Sequence, residues 1–384
     1  MLVPIANDPR DYAWGSTTLL AELEGREPSG RPEAEVWFGD HPGSPARVVG
    51  GRSLDEWLAD EGRAVGAPAR LPYLLKLLAA ASALSIQAHP TIAQAEDGFA
   101  REDQAGIPVD AAHRTYRDVN HKPELIVAVS DEFVAMAGLR DVAATRRLLA
   151  ALGEAAAPLE AALAASDPEA GLRAGLSWAL SAATPDDLAA LLTAVSSARS
   201  EEFAAELANA RQLIADHPGD PGVVVALLMN LVTLRRGEGL FVDAGVLHAY
   251  VRGLGVEIMA ASDNVLRGGL TPKHIDVDEL LAIVDTTPGP ARVVRPRPDG
   301  PGIGRYDVPV GDFALTAAEV RGSAVEVPLS GTAVVVATEG DVTVAGGSGD
   351  AVPLRPGRAV LVAPDEPAIV LHGTGRVFLA EPGR

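Results

Sequence analysis

Residues 239–273 read GLFVDAGVLHAYVRGLGVEIMAASDNVLRGGLTPK. Gly239–Val242 begins a strand, a short apolar run closed by Asp243 and a Gly-bearing turn. His248 and Tyr250 follow at i, i+2, and on an extended chain that spacing puts both side chains on one face. Glu257 comes next, and then Ser262-Asp263-Asn264-Val265-Leu266-Arg267-Gly268-Gly269. An arginine in a glycine-rich turn suits anion or oxyanion binding. The plainer reading is an Asx-capped turn with a surface arginine.

Strand-like texture continues outward on both sides. Leu125–Val129 and Phe133–Leu139 have strand length, and the mostly apolar Leu71–Gln87 starts as either a strand or a helix. Residues 141–217 differ: they are rich in Ala, Leu and Glu, and Val142–Leu152 and Asp186–Ser196 show i, i+3, i+4 apolar spacing. Ser166-Asp167-Pro168 and Thr184-Pro185 look like helix starts, a capping residue close before a proline. Val223–Leu234 reads as a helix and Pro288–Gly304 as a Pro- and Gly-rich linker. The tail offers short strands at Ala324–Val327, Thr332–Ala337, Val342–Val344, Ala359–Val362 and Ala368–Leu371, with turns at Glu339-Gly340-Asp341 and Arg355-Pro356-Gly357, as in a small β-barrel or jelly roll. The expectation is a mainly β protein with a helical insertion. Residues 1–140 and 218–287 would form one discontinuous domain, 141–217 the insertion, 288–304 the linker and 305–384 a second β domain.

The 384 residues exceed one compact core, and 47% hydrophobic with 22% charged residues is an ordinary globular composition. No apolar run spans a bilayer, and Met1–Arg10 lacks a basic segment followed by an apolar stretch. Neither a membrane association nor a secretory leader is expected, and a cytoplasmic location follows by default. With no cysteine there are no disulfides or thiolate metal sites. A net charge of −20 argues against a nucleic-acid partner and requires any anionic substrate to meet a local cluster of cations.

Two further stretches carry chemistry. Gln87 and His89, in Gln87-Ala88-His89-Pro90, share a face if extended. His121-Lys122-Pro123-Glu124 brings an imidazole, a cation and a carboxylate to a strand entrance, with Pro123 biasing Lys122 toward an extended conformation. Alone, the first is a hydrogen-bonded structural histidine and the second a solvated loop. Together, Gln87, His89, Glu124 and His248 make a plausible four-ligand set of nitrogen and oxygen donors, suited to a catalytic divalent ion with an open position.

On these residues the sequence resembles the type I mannose-6-phosphate isomerases. The matching stretches are Tyr12-Ala13-Trp14-Gly15, Glu35-Val36-Trp37-Phe38-Gly39-Asp40-His41-Pro42, Leu84–Pro90, Asn120–Glu124 and Gly239–Lys273, five motifs in order. The resemblance implies a cupin (jelly-roll) β-sandwich catalytic domain, a helical insert and a C-terminal cupin-like domain. It implies one Zn2+ per chain on Gln87, His89, Glu124 and His248, with Arg267 in the active site and Lys122, Tyr250, Glu257 and Asp263 lining the cleft.

The implied reaction moves a proton between C1 and C2 of a small sugar phosphate. Candidates for the base are Lys122, Glu257, Asp263 and His121, and His121 or Asp263 could open the ring. Arg267 would stabilise developing negative charge. Lys76, Lys122, Arg267 and Lys273 offer cations to the phosphate, Ser85 a hydroxyl and Tyr250 a further substrate contact; for Lys76 and Lys273 an ordinary surface lysine is an equal expectation. A monomer is expected. Competing readings are a cupin metal oxygenase, a non-catalytic sugar-phosphate sensor, and an isomerase of an unphosphorylated sugar.

Overall fold

The computed structural model describes residues 1–383. Two antiparallel sheets of ten strands each form its frame. The strand His248–Ala260 is the hub of the first sheet. Its early residues pair with Glu132–Leu139 and Gln87; its later ones pair with Tyr73–Ala80 and Glu124–Ala128. The change of partner falls at a bulge between Tyr250 and Arg252. Gly253, just beyond it, has φ 122°, and a Cβ there would lie 2.8 Å from the Phe133 ring. Only glycine lets the strand bend so sharply across the sandwich.

Side-chain alternation then sorts the residues. Leu75, Leu77, Leu125, Val127, Val256 and Ile258 pack against Val334, Val336, Leu361 and Phe378 of the second sheet. Leu78, Ile126, Phe133, Leu240 and Tyr250 form a separate core inside the first sandwich. Lys76, Glu124 and Glu257 alternate with the outward set, so their charged groups point into that interior. Such groups are tolerated there only if paired or bound to an ion.

Between the strands Glu132–Leu139 and Met229–Arg235, themselves antiparallel neighbours, lie helices including Val142–Ala150, Pro168–Ser177, Pro185–Ser197 and Ala204–Asp216. Asp167 and Thr184 cap two of them directly before a proline. Leu148, Leu176 and Leu213 pack with Val134 and Met136 of the sheet.

Three expectations fail locally. Val223–Leu234 is not one helix: Gly222–Leu228 is helical, and Met229–Arg235 is a strand. Val232 and Thr233 find partners in Ala135 and Val134, and this pairing overrides the helical pattern. Pro288–Gly304 is not a bare linker, since Val293–Val294 joins the first sheet and Arg297–Pro298 the second. Glu339-Gly340-Asp341 does not end a strand. Ala333–Ala345 runs through it over a bulge, with Gly340 at φ 65°.

The strand Leu2–Ala6 belongs to the second sheet, antiparallel to Ala359–Val362 and with Arg47–Val48 on its other side. The Tyr73 hydroxyl joins the sheets through the carbonyls of Thr332 and Ala380, at 2.9 and 3.0 Å. Among the described residues no helix is long and apolar enough to cross a membrane.

Candidate metal centre and cleft

The short strand Ile86–Ala88 lies between two others, and Gln87 is opposite both His248 and Arg267. Directly opposed residues share a face, so Gln87, His248 and Arg267 form one row, with His89 following two residues after Gln87. Glu124 opens its strand from across the sandwich. Donor atoms of His89, Glu124 and His248 all lie within 4.8 Å of one another, and the three residues are buried.

Hydrogen bonding fixes what these donors are. His89 Nδ1 is 2.7 Å from the carbonyl of Asn264, and His248 Nδ1 is 3.0 Å from that of Val246. A carbonyl only accepts, so each Nδ1 carries the proton and each Nε2 presents a lone pair. Those lone pairs face Glu124, His89 Nε2 at 3.1 Å from Oε1 and His248 Nε2 at 3.3 Å from Oε2. His248 Nε2 has no hydrogen-bond partner. Burial, reinforced by Lys122, lowers the His89 pKa to about 4, which keeps the ring neutral. Burial opposes ionisation of Glu124, but the Lys122 ammonium beside it holds its pKa well below the usual carboxylate range. Two bare nitrogens and a carboxylate aimed at one another require a cation among them, and the donor set fits zinc.

Around this centre the inward charges pair. Lys122 Nζ is 2.9 Å from Glu124 Oε1, and the Tyr250 hydroxyl donates to Oε2 at 3.0 Å. Lys76 Nζ is 2.9 Å from Glu257 Oε2 and 3.5 Å from Glu35 Oε1, all three side chains buried. Burial alone would discharge Lys76, but Glu257, Glu35 and Glu124 hold its pKa above the usual lysine range. Burial raises the Glu257 pKa, with Lys76 opposing. Lys76 is therefore not a surface lysine. Tyr250 is 2% exposed and its hydroxyl is taken up by the carboxylate, so it braces Glu124 where a direct substrate contact was expected.

The remaining expected residues make contacts of their own. Asp263 bonds His41 Nε2 at 3.1 Å, which lowers its pKa against the effect of burial. His121 turns away from Lys122 and meets Asp312 of the C-terminal part at 2.8 Å, so it does not join the groups gathered on Glu124. Ser85 stands immediately ahead of Ile86–Ala88, half-buried. Arg267 is half-buried and Lys273 exposed; burial lowers both pKa values, followed by the charge of Arg117 on each and of Arg267 on Lys273. None of Arg117, Arg267 and Lys273 has a carboxylate partner among the described residues. Sequence reasoning missed Arg117 and His41. Arg117 lies just ahead of a recognised motif and His41 within one, but nothing in their spacing signals a task.

A sequence model described as the phosphomannose isomerase type I catalytic domain matches residues 2–142. The chain is 36% identical over 385 residues to mannose-6-phosphate isomerase of Escherichia coli K12, covering 97% of each. The chain belongs to the type I phosphomannose isomerase family. It is also 32% identical to mannose-6-phosphate isomerase of Bos taurus, over 94% of this chain and 93% of that one. A zinc-bound crystal structure of mannose 6-phosphate isomerase superposes with TM-score 0.90 at 32% identity, covering both chains fully. The apo form of mannose 6-phosphate isomerase from Salmonella typhimurium also gives 0.90, at 33% identity over 100% of this chain and 99% of that one. Membership in this family supports the expected cupin-type β fold and favours isomerase over oxygenase chemistry.

Proposed function

We propose that this protein interconverts mannose 6-phosphate and fructose 6-phosphate with one zinc ion held by His89, Glu124, His248 and Gln87. The observation that carries the reading is the convergence of two unprotonated imidazole nitrogens on one buried carboxylate, in a chain whose full-length relatives are isomerases of that sugar phosphate. Bound zinc would supply a Lewis acid that withdraws charge from the substrate oxygens. Arg267, in the same row as Gln87 and His248, would stabilise negative charge as the proton leaves carbon. Lys122, bonded to Glu124, or Glu257, bonded to Lys76, would exchange that proton, and Asp263, held by His41, would serve ring opening. Arg117, Arg267 and Lys273 form the local cationic region that a phosphate requires on a chain of net charge −20. The setting proposed for it is the cytoplasm, with the protein acting as a monomer. Residues 1–140 and 218–287 hold the site, apart from Leu2–Ala6 and Arg47–Val48, which pair into the second sheet; 141–217 act as a packing insert, and 288–304, with a strand in each sheet, lead to the C-terminal domain.

The test is turnover of mannose 6-phosphate, mannose and glucose 6-phosphate, side by side, on zinc-loaded and chelator-stripped protein. Turnover of mannose 6-phosphate alone, lost on stripping and restored by zinc, is the expected result. Full activity in metal-free protein, or a preference for mannose, overturns the proposal.

A further inference from the structure

One buried side chain touches nothing in the cleft yet is bonded to the parts that shape it. Asn264 is fully buried. Its Oδ1 accepts from the backbone N–H groups of Arg117 and Asp118, at 2.7 and 3.2 Å. Its Nδ2 donates to the carbonyls of Asp118 and Asn120, at 2.9 and 2.8 Å, and to Asp118 Oδ1 at 3.2 Å. Its own N–H is 3.2 Å from Ser262 Oγ, which in turn donates to Asp118 Oδ1 at 2.8 Å and the Asn120 carbonyl at 3.3 Å. Its carbonyl takes the Nδ1 proton of His89.

Three consequences follow from this one residue. The carbonyl fixes the His89 tautomer and ring plane, so that Nε2 faces Glu124. The amide clamps Arg117–Asn120, which sets where Arg117 stands and leads directly into His121-Lys122-Pro123-Glu124. Asn264 lies three residues before Arg267, so the same clamp anchors the entry to that strand. Asn is suited to the position because it offers an acceptor and two donors in one plane. Aspartate would set a carboxylate against two carbonyl oxygens, and leucine would leave the backbone groups unpaired.

We propose that Asn264 is a positioning residue that couples the metal centre to the cationic phosphate region, holding His89 and the Arg117 and Arg267 side chains in fixed relation. The inference rests on the reading of the preceding subsection and concerns two binding equilibria measured apart from turnover. Asn264→Ala and the milder Ser262→Ala are compared with the parent chain. Zinc affinity of metal-free protein is read by competition with a chromophoric chelator, and phosphate binding from competitive inhibition by inorganic phosphate. Asn264→Ala keeps the carbonyl that meets His89 but removes the side-chain clamp that holds it in place, so zinc binding should weaken several-fold, short of the about 10- to 100-fold usual when a ligand's partner itself is lost. Phosphate binding should weaken several-fold in the same variant. Ser262→Ala should lower both by less and retain the parent's circular dichroism, and it decides the matter if Asn264→Ala does not fold. Unchanged zinc and phosphate affinity in a folded variant overturns the inference, as does loss of one with the other intact. A parent that neither binds zinc nor isomerises mannose 6-phosphate overturns the functional reading and this inference together.

Discussion

Replacing Tyr250 by phenylalanine removes one oxygen from the interior of the sandwich. The ring is 2% exposed and packs edge-on against Phe133, with centroids 5.6 Å apart at 71°, so its volume and packing are retained. Only the hydrogen bond to Glu124 Oε2 at 3.0 Å is lost. A hydrogen bond to a charged group contributes about 1.5–3 kcal/mol, which at 1.4 kcal/mol per decade is about 10- to 100-fold in an equilibrium that needs the carboxylate in place. Lys122 still grips Oε1 at 2.9 Å, so the lower end is expected: zinc binding about tenfold weaker. The zinc-free protein should melt somewhat below the parent, because Glu124 Oε2 loses a partner in the buried interior. The stabilisation on saturating with zinc should shrink by about 1.4 kcal/mol. Chelator competition gives the first quantity and paired melts with and without zinc the second. Zinc affinity within twofold of the parent would refute the role of Tyr250 as the brace of Glu124, and a large fall in zinc-free stability would mean the hydroxyl serves the fold.

Arg267→Ala should lower kcat by about 10²–10³-fold, as when an oxyanion donor is lost, with zinc content unchanged; Arg267→Lys should recover only part, having no planar fork. A rise confined to KM would assign Arg267 to the phosphate in ground and transition states alike. Because burial, then Arg267 and Arg117, lower the Lys273 pKa, kcat/KM should begin to fall at a pH below the ordinary lysine range as the cation is lost, and Lys273→Arg should move that limb upward; identical profiles would remove Lys273 from the phosphate site. Gly98→Ala places a Cβ 2.3 Å from the Tyr116 ring, whose hydroxyl bonds Glu279. Overpacking of about 1–3 kcal/mol should outweigh the helix gain of about 1 kcal/mol, so a melting temperature at or above the parent's would contradict the packing.

His89, Glu124 and His248, which the fold brings together, were legible as candidates in short stretches, His89 by its i, i+2 spacing from Gln87 and His248 by its spacing from Tyr250. The cationic region was only half legible. Arg267 and Lys273 belong to a recognised stretch, whereas Arg117 acquires its place from Asn264, 147 positions away. Lys76 was open between a contact and a surface role because its apolar neighbours do not reveal the two carboxylates that strand pairing brings to it. Glu339-Gly340-Asp341 has turn composition, yet Gly340 is required by a close approach: a Cβ would lie 2.0 Å from the Thr374 carbonyl oxygen. The register of Leu2–Ala6 has no local signal, since its partners lie at the other end of the chain.

That last pairing sets an order of events during synthesis. Leu2–Ala6 leaves the ribosome about 350 residues ahead of Ala359–Val362, an interval on the order of 20–70 s at ordinary translation rates. The strands that gather His89, Glu124, Arg267 and His248 are complete by Gly269, so the cleft can assemble while the opening strand still waits. Throughout that interval an apolar strand edge is open to other nascent chains. Pro4, opposite Val360 in the finished sheet, lacks an amide donor and makes the waiting segment a poorer template for foreign strands.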